Sequence, residues 1–212
     1  LYGKNQLEDI KSIYKRISKY TLMLNIPIFL TISILSKDIV SLFFGNEYIG
    51  AALPLLILSF GYLIYSLSDI SINILSVLKK TKTIFSIISV FALSNVILNY
   101  FLIPKFGLIG AAIGTSISFI IGSLCMILIC YYHSKLYPFM FNYRNLFISL
   151  IITLAVGIIL KNIINSTPLK NIIIILPVIW LTYLILIMLF KEFSKEELDK
   201  LRELKARISK KL

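Results

Sequence analysis

Charge is what this chain has least of. Only 15% of its 212 residues are charged, and acidic side chains number 10 against 22 Lys and Arg. Soluble domains carry about 25% charged residues, so an ordinary water-facing surface is excluded. Cysteine is limited to Cys125 and Cys130, which lie five positions apart and point to different faces of a helix; that argues against a disulfide between them. The single histidine, His133, has no Cys or carboxylate at ligand spacing, which argues against a metal centre. No Gly-rich phosphate loop, nucleophile elbow or paired-carboxylate arrangement occurs, so the chain reads as a non-enzyme without a cofactor.

What remains is apolar. Hydrophobic residues make up 58% of the chain, and the mean hydropathy is +0.90. Each bilayer crossing needs about 20 such residues. Uncharged runs place six spans: Tyr20 to Ser36, Tyr48 to Leu78 (interrupted only by Asp69), Thr83 to Pro104, Phe106 to Tyr132, the stretch between Arg144 and Lys161, and that between Lys170 and Lys191. Runs such as Ile172-Ile173-Ile174-Ile175 lack the alternation that a membrane barrel strand requires, so the spans are helices. Span two is too long for one crossing, and its start, around Gly45 to Pro54, is expected to break outside the hydrocarbon core. Pro27, Pro54 and Pro177 fall inside spans and favour kinks.

The distribution of basic residues sets orientation and decides what the net charge of +12 means. Eighteen Lys and Arg fall before span one, after spans two and four, and in the C-terminal tail; four, Lys37, Lys105, Lys161 and Lys170, fall on the opposite side. The positive-inside rule then puts both termini in the cytoplasm. The basic excess is a collar facing anionic headgroups of the lipid bilayer, and no nucleic-acid partner is implied.

The expected fold class is therefore all-α: a polytopic membrane bundle of six transmembrane helices with an amphipathic helix at each end. Residues 1–19 form a lead-in helix, with Leu7, Ile10, Ile13 and Ile17 at helical spacing. Residues 20–190 form the bundle. Residues 191–212 form a tail helix, opened by the capping box of Ser194 and Glu197 and lying on the membrane face. A chain beginning in mid-helix is expected to be continued by further N-terminal helices of the same protein.

Three stretches resemble a known family. They are "LEDIKSIYKRISKYTLMLNIPIFL", "LFFGNEYIGAALPLLILSFGYLI" and "LKKTKTIFSIISVFALSNVILNYFLIPKFGLIGAAIGTSIS". In this order and spacing, over roughly residues 7–133, they resemble the C-terminal part of polysaccharide flippases of the multidrug/oligosaccharidyl-lipid/polysaccharide exporter superfamily. The resemblance implies a cell-membrane transporter that passes a polyprenyl-phosphate-linked sugar between leaflets by alternating access, with Na+ or H+ as possible coupling ion. A multidrug/cation antiporter of the same superfamily and a non-transporting membrane scaffold are the alternatives.

Polar residues inside spans are the candidate sites. Asp69 lies about 15 Å from the Lys79-Lys80 end of its helix, near mid-bilayer. A charge there costs about 2.5–3.5 kcal/mol on insertion scales, so it must face a cavity, find a partner or be protonated. Asn73 follows one turn later on the same face. Both are candidates for a substrate or ion path, against the plainer reading of interhelical pairing. Asn95, Asn99 and Thr115 form a second polar group. The resemblance implies a cation site like that of some lipid II flippases; without a carboxylate at Asn99 such a site is weakened, and interhelical hydrogen bonding is the plainer reading. Gly110, Gly114, Ser118 and Gly122 repeat every four residues and predict a close helix–helix seam.

Overall fold

The computed structural model describes residues 4–136, 143–164, 166–190 and 192, with side chains from residue 11 onward. Its elements are α1 (Lys4–Phe44), a 3-10 turn (Asn46–Ala51), α2 (Ala52–Val77), α3 (Thr81–Ser134), α4 (Arg144–Ile164) and α5 (Pro168–Leu189). The lead-in and span one form the single 41-residue α1, with Pro27 buried within it. Thr31 donates through Oγ1 to the Pro27 carbonyl at 2.8 Å, one of many Ser and Thr hydroxyls that bond back to their own helix. That satisfies a hydroxyl where no water is available. The break near Gly45–Pro54 is the 3-10 turn, which Gly45 enters at φ 100°. Apart from Glu192, the segment read as a tail helix lies outside the described residues.

The expectation of six transmembrane helices is corrected to five. Five helices are long and apolar enough to cross a bilayer among the described residues. The discrepancy lies in the two spans read at 83–104 and 106–132, which form one 54-residue element, α3. Lys105 beside Pro104 has the appearance of a loop, but no loop intervenes. The only residue off helical geometry is Gly107, at φ 55° and ψ −131°, a conformation open to glycine and closed to side chains with a Cβ. One such residue folds the helix back on itself. Asn95 and Thr115 hydrogen-bond side chain to side chain across 20 residues, a separation that would be about 30 Å along a straight helix.

The small-residue row forms the seam of this hairpin. A Cβ on Gly110 would collide with the Leu102 carbonyl, one on Gly114 would lie 2.5 Å from Asn99 Oδ1, and one on Gly122 would lie 3.2 Å from the Phe91 Cβ. Ser118, in the same row, is fully buried. A second face of the returning limb meets α2. Ser116 donates to the Ile57 carbonyl at 2.8 Å, and a Cβ on Gly61 would lie 2.8 Å from Ser116 Cα. Both seams bring backbones into contact, which only small residues permit.

α1 is the hub, packing on α2, α4 and α5, while α3 packs on α2. Its Leu22, Met23, Ile26, Leu30 and Leu35 form the main core with a row from α5, Ile175, Ile179, Tyr183 and Ile187, spaced every fourth residue. A smaller core joins Leu75 of α2 to Ile84, Ile87, Met126 and Cys130 of α3. The remaining helix surfaces are apolar and exposed, Phe85, Leu93, Ile163 and Leu189 among them, as lipid-facing surfaces are.

Gly61→Leu drives a side chain into the α2–α3 backbone contact. It is expected to lower stability by about 1–3 kcal/mol, the usual range for overpacking, read as a lowered Tm in detergent. Gly50→Leu, where no atom lies within 4 Å of the added Cβ, is the matched control and should leave the Tm unchanged.

Candidate functional site

α2 is apolar along most of its length, but one face carries Tyr62, Asp69 and Asn73, all exposed. Asn73 donates through Nδ2 to the Asp69 backbone carbonyl at 3.1 Å, so Asp69's carboxylate is not what holds Asn73 in place. Among the described residues that carboxylate has no hydrogen bond or ion pair. The two residues share a face, as their spacing predicts.

Beyond Asn73 this face leads into a cavity of about 700 Å³ between the start of α1 and the ends of α2 and α3. Its walls are Ile13, Ile17, Ile70, Ile74 and Val77, and its polar groups include Lys11, Asn73, His133 and Lys135. Beside it, Tyr14 is fully buried with its hydroxyl 2.9 Å from Ser71 Oγ, tying α1 to α2.

The second polar group is brought together by the α3 hairpin. Asn99 donates to Asn95 Oδ1 at 3.0 Å, and Asn95 donates to Thr115 Oγ1 at 3.1 Å. Asn99 Oδ1 is buried against Gly114 without a hydrogen-bond partner. The three residues thus form a chain of donors and acceptors that ends on one orphaned oxygen. Asn95 and Asn99 border an open groove with Tyr100, Phe101 and Lys105, whereas Thr115 borders another cavity with Tyr62 of α2.

Two polar clusters escaped the sequence reading. Asp38, at the end of α1, is buried, is ion-paired to Lys161 of α4, and accepts a hydrogen bond from Asn171 of α5 at 2.7 Å. Asn171 also donates to the Ser166 carbonyl and accepts from the Ser166 N–H, both at 3.1 Å. At the other end of the apolar segment of α1, Lys19 pairs with Glu192 at 2.8 Å, and Asn145 of α4 donates to Glu192 Oε1 at 2.7 Å. Each charged residue looks, in sequence, like the solvated end of a span. The clusters depend on partners 47 to 173 positions away, which no local pattern reveals. Lys19 and Asp38 are separated by about 28 Å along the helix, close to the roughly 30 Å of a hydrocarbon core. Cys125 and Cys130 are both free thiols.

Residues 1–101 match the MatE family. An uncharacterized membrane protein of Methanocaldococcus jannaschii is 31% identical over 57% of this chain and 24% of its own length. A probable low-salt glycan biosynthesis flippase of Haloferax volcanii is 28% identical over 68% of this chain and 30% of its own. This chain thus spans less than a third of the curated relatives it matches. In fold it is similar to the lipid II flippase MurJ in an inward closed conformation, with a TM-score of 0.70 and 24% identity over 89% of this chain and 40% of that one. The protein is a multi-pass membrane protein.

Asp38→Ala removes the carboxylate on which Lys161 and Asn171 converge. With Lys161 partly exposed, the expected loss is about 2 kcal/mol, read as a lower Tm in detergent. An unchanged Tm would show that the cluster does not hold α1 to α4 and α5.

Proposed function

We propose that this chain belongs to the MatE flippase superfamily, a reading that the match of residues 1–101 and the similar flippases support, and that it is part of a transporter that flips a polyprenyl-linked oligosaccharide across the membrane by alternating access. The observation that carries this reading is the exposed Asp69–Asn73 strip on α2. An ionisable residue inside a span is expensive and faces a polar path or a partner, and this one has no partner among the described residues. The names of two similar proteins, a glycan biosynthesis flippase and a lipid II flippase, support a glycan-bearing lipid as the cargo class.

The chemistry of the strip suits a sugar better than a phosphate. A carboxylate repels an anionic phosphate and accepts hydrogen bonds from hydroxyls, and an amide both donates and accepts. Asp69 and Asn73 therefore contact the passing oligosaccharide, and the (pyro)phosphate is neutralised by other groups. This is transport without covalent chemistry, so the chain acts as a carrier and not as a catalyst. A second reading, exchange of organic cations, is favoured by the same unpaired carboxylate.

Asp69→Ala in the full-length protein, reconstituted in vesicles, is expected to slow flipping of a fluorescent polyprenyl-linked sugar about tenfold, the worth of a charged hydrogen bond, with normal membrane insertion. Asp69→Asn keeps an acceptor and should retain most of the rate. A cation exchanger would lose activity in both variants, and normal flipping in Asp69→Ala would remove Asp69 from the path.

As for a coupling ion, the orphaned Asn99 Oδ1 beside Asn95 Oδ1 and Thr115 Oγ1 offers neutral oxygens that fit a monovalent cation better than a divalent one. These three residues would hold Na+, which would supply a positive charge across the hairpin seam. Expected is a rise in Tm with Na+ over choline that Thr115→Val abolishes; equal Tm values in the two salts would discard the site.

A further inference from the structure

The cavity at the basic end of the bundle has features that sugar transport does not use. α2 and α3 both end beside it, and both end in left-handed caps. At α2 the Lys79 N–H bonds to the Ser76 carbonyl and the Lys80 N–H to the Leu75 carbonyl, both at 2.9 Å; at α3 the Lys135 N–H bonds to the Tyr131 carbonyl at 2.8 Å. This position normally falls to glycine, because a side chain at positive φ is strained. Here the residues are Lys79 at φ 56° and Lys135 at φ 59°, the only non-glycine residues with positive φ among those described. Lysine at a helix C-terminus offsets the carbonyl dipole, which accounts for its charge but not for its place at the strained position.

Lys135 is also aimed. Its ammonium lies 5.3 Å from the Tyr131 ring centre and 5.9 Å from that of Tyr132, so two aromatic faces hold it at the cavity. Lys11, one turn before the buried Tyr14, lines the same cavity from α1. Inward from these two cations the walls are aliphatic. Few groups there can read sugar hydroxyls: Asn73, His133 and Ser134 are polar and neutral, and the Tyr14 hydroxyl is already bonded to Ser71. The cavity is thus cationic at its mouth and greasy within, at the level where the basic residues of α1, α2 and α3 meet.

We propose that this cavity holds an anionic phospholipid of the surrounding leaflet, its phosphate between Lys11 and Lys135 and one acyl chain along Ile70, Ile74 and Val77. The lipid wedges the start of α1 against the ends of α2 and α3 and so stabilises that end of the bundle. The inference goes beyond the transport reading and does not depend on it, since its readout is binding and not flipping.

The experiment is native mass spectrometry of the full-length protein, taken from nanodiscs containing equal amounts of phosphatidylglycerol and phosphatidylcholine. Wild type should retain phosphatidylglycerol selectively. A lysine near a membrane surface is worth about fivefold in attraction to anionic lipid, so Lys11→Gln with Lys135→Gln should weaken retention about 25-fold. Val77→Trp, which puts a bulky ring in the path of the acyl chain and leaves every charge in place, should also abolish it. Lys80→Gln with Lys82→Gln, outside the cavity lining, should not. If the outer lysine pair matters as much as the inner one, or if Val77→Trp has no effect, the lipid is held by the basic collar and the proposal fails. It fails as well if a polyprenyl phosphate is retained where phosphatidylglycerol is not. A melting curve for each variant separates lost binding from lost folding.

Discussion

α1 is held at both ends of its apolar segment by part-buried polar clusters, and the rest of the bundle is arranged around it. In lipid, apolar contacts between helices gain little over contacts with acyl chains, so packing, hydrogen bonds and ion pairs must choose the partners. α1 meets this requirement where its apolar segment stops. Lys19 binds Glu192 beside Asn145 at one end, and Asp38 binds Lys161 and Asn171 at the other. Each cluster recruits α4 and the α5 segment together, so α1, α4 and the α5 segment are tied as a triangle at two levels. The apolar row on α5 then fills the space between. Near the hydrocarbon boundary a charge is cheaper to desolvate than at mid-bilayer, and the clusters sit at that depth.

On the other side of α1, α2 and the α3 hairpin are joined by a different device. No ion pair links α2 to α3 among the described residues. Their union depends on backbone proximity: Gly61 against Ser116, Ser68 near Ser123, and the hairpin's own seam of Gly110, Gly114, Ser118 and Gly122. Ion pairs fix α1 to α4 and the α5 segment at defined points, whereas small-residue contacts are continuous along the helices. The bundle therefore has one half pinned by charge and one half fitted by shape, and the polar strip of Asp69 and Asn73 belongs to the second.

The sequence was most informative where a single physical rule sufficed. Apolar length located the helical segments, and the four-residue repeat of small side chains marked a close contact, though not that its partner would be the other limb of the same helix. Chain reversal was harder to read. Proline and a lysine suggested a loop at residue 105, whereas the reversal is made by Gly107 alone, whose backbone freedom leaves no trace in hydropathy. The ion pairs were invisible for another reason. Asp38 and Lys161 each look like the last residue of a span, and their pairing depends on topology rather than local pattern. Asp69 was legible because a lone carboxylate among 26 mostly apolar residues of α2 has no structural precedent in its own neighbourhood.

That contrast bears on what Asp69 does. Lys19, Asp38 and Lys161 are paired, and many serines are bonded back to their helices, although the Ser18, Thr153 and Tyr183 hydroxyls and Asn99 Oδ1 are buried without a hydrogen-bond partner. A bundle that pairs these charges had the means to pair Asp69: Lys, Asn and Ser all occur on neighbouring elements. Instead the carboxylate is carried on an exposed face of α2, with Asn73 bonded to the backbone beside it and so oriented independently. Replacing Asp69 by an apolar residue would remove a desolvation cost without breaking any contact within the described bundle. Packing within the described bundle therefore gives no reason for the carboxylate, which fits the proposal that it meets the transported cargo.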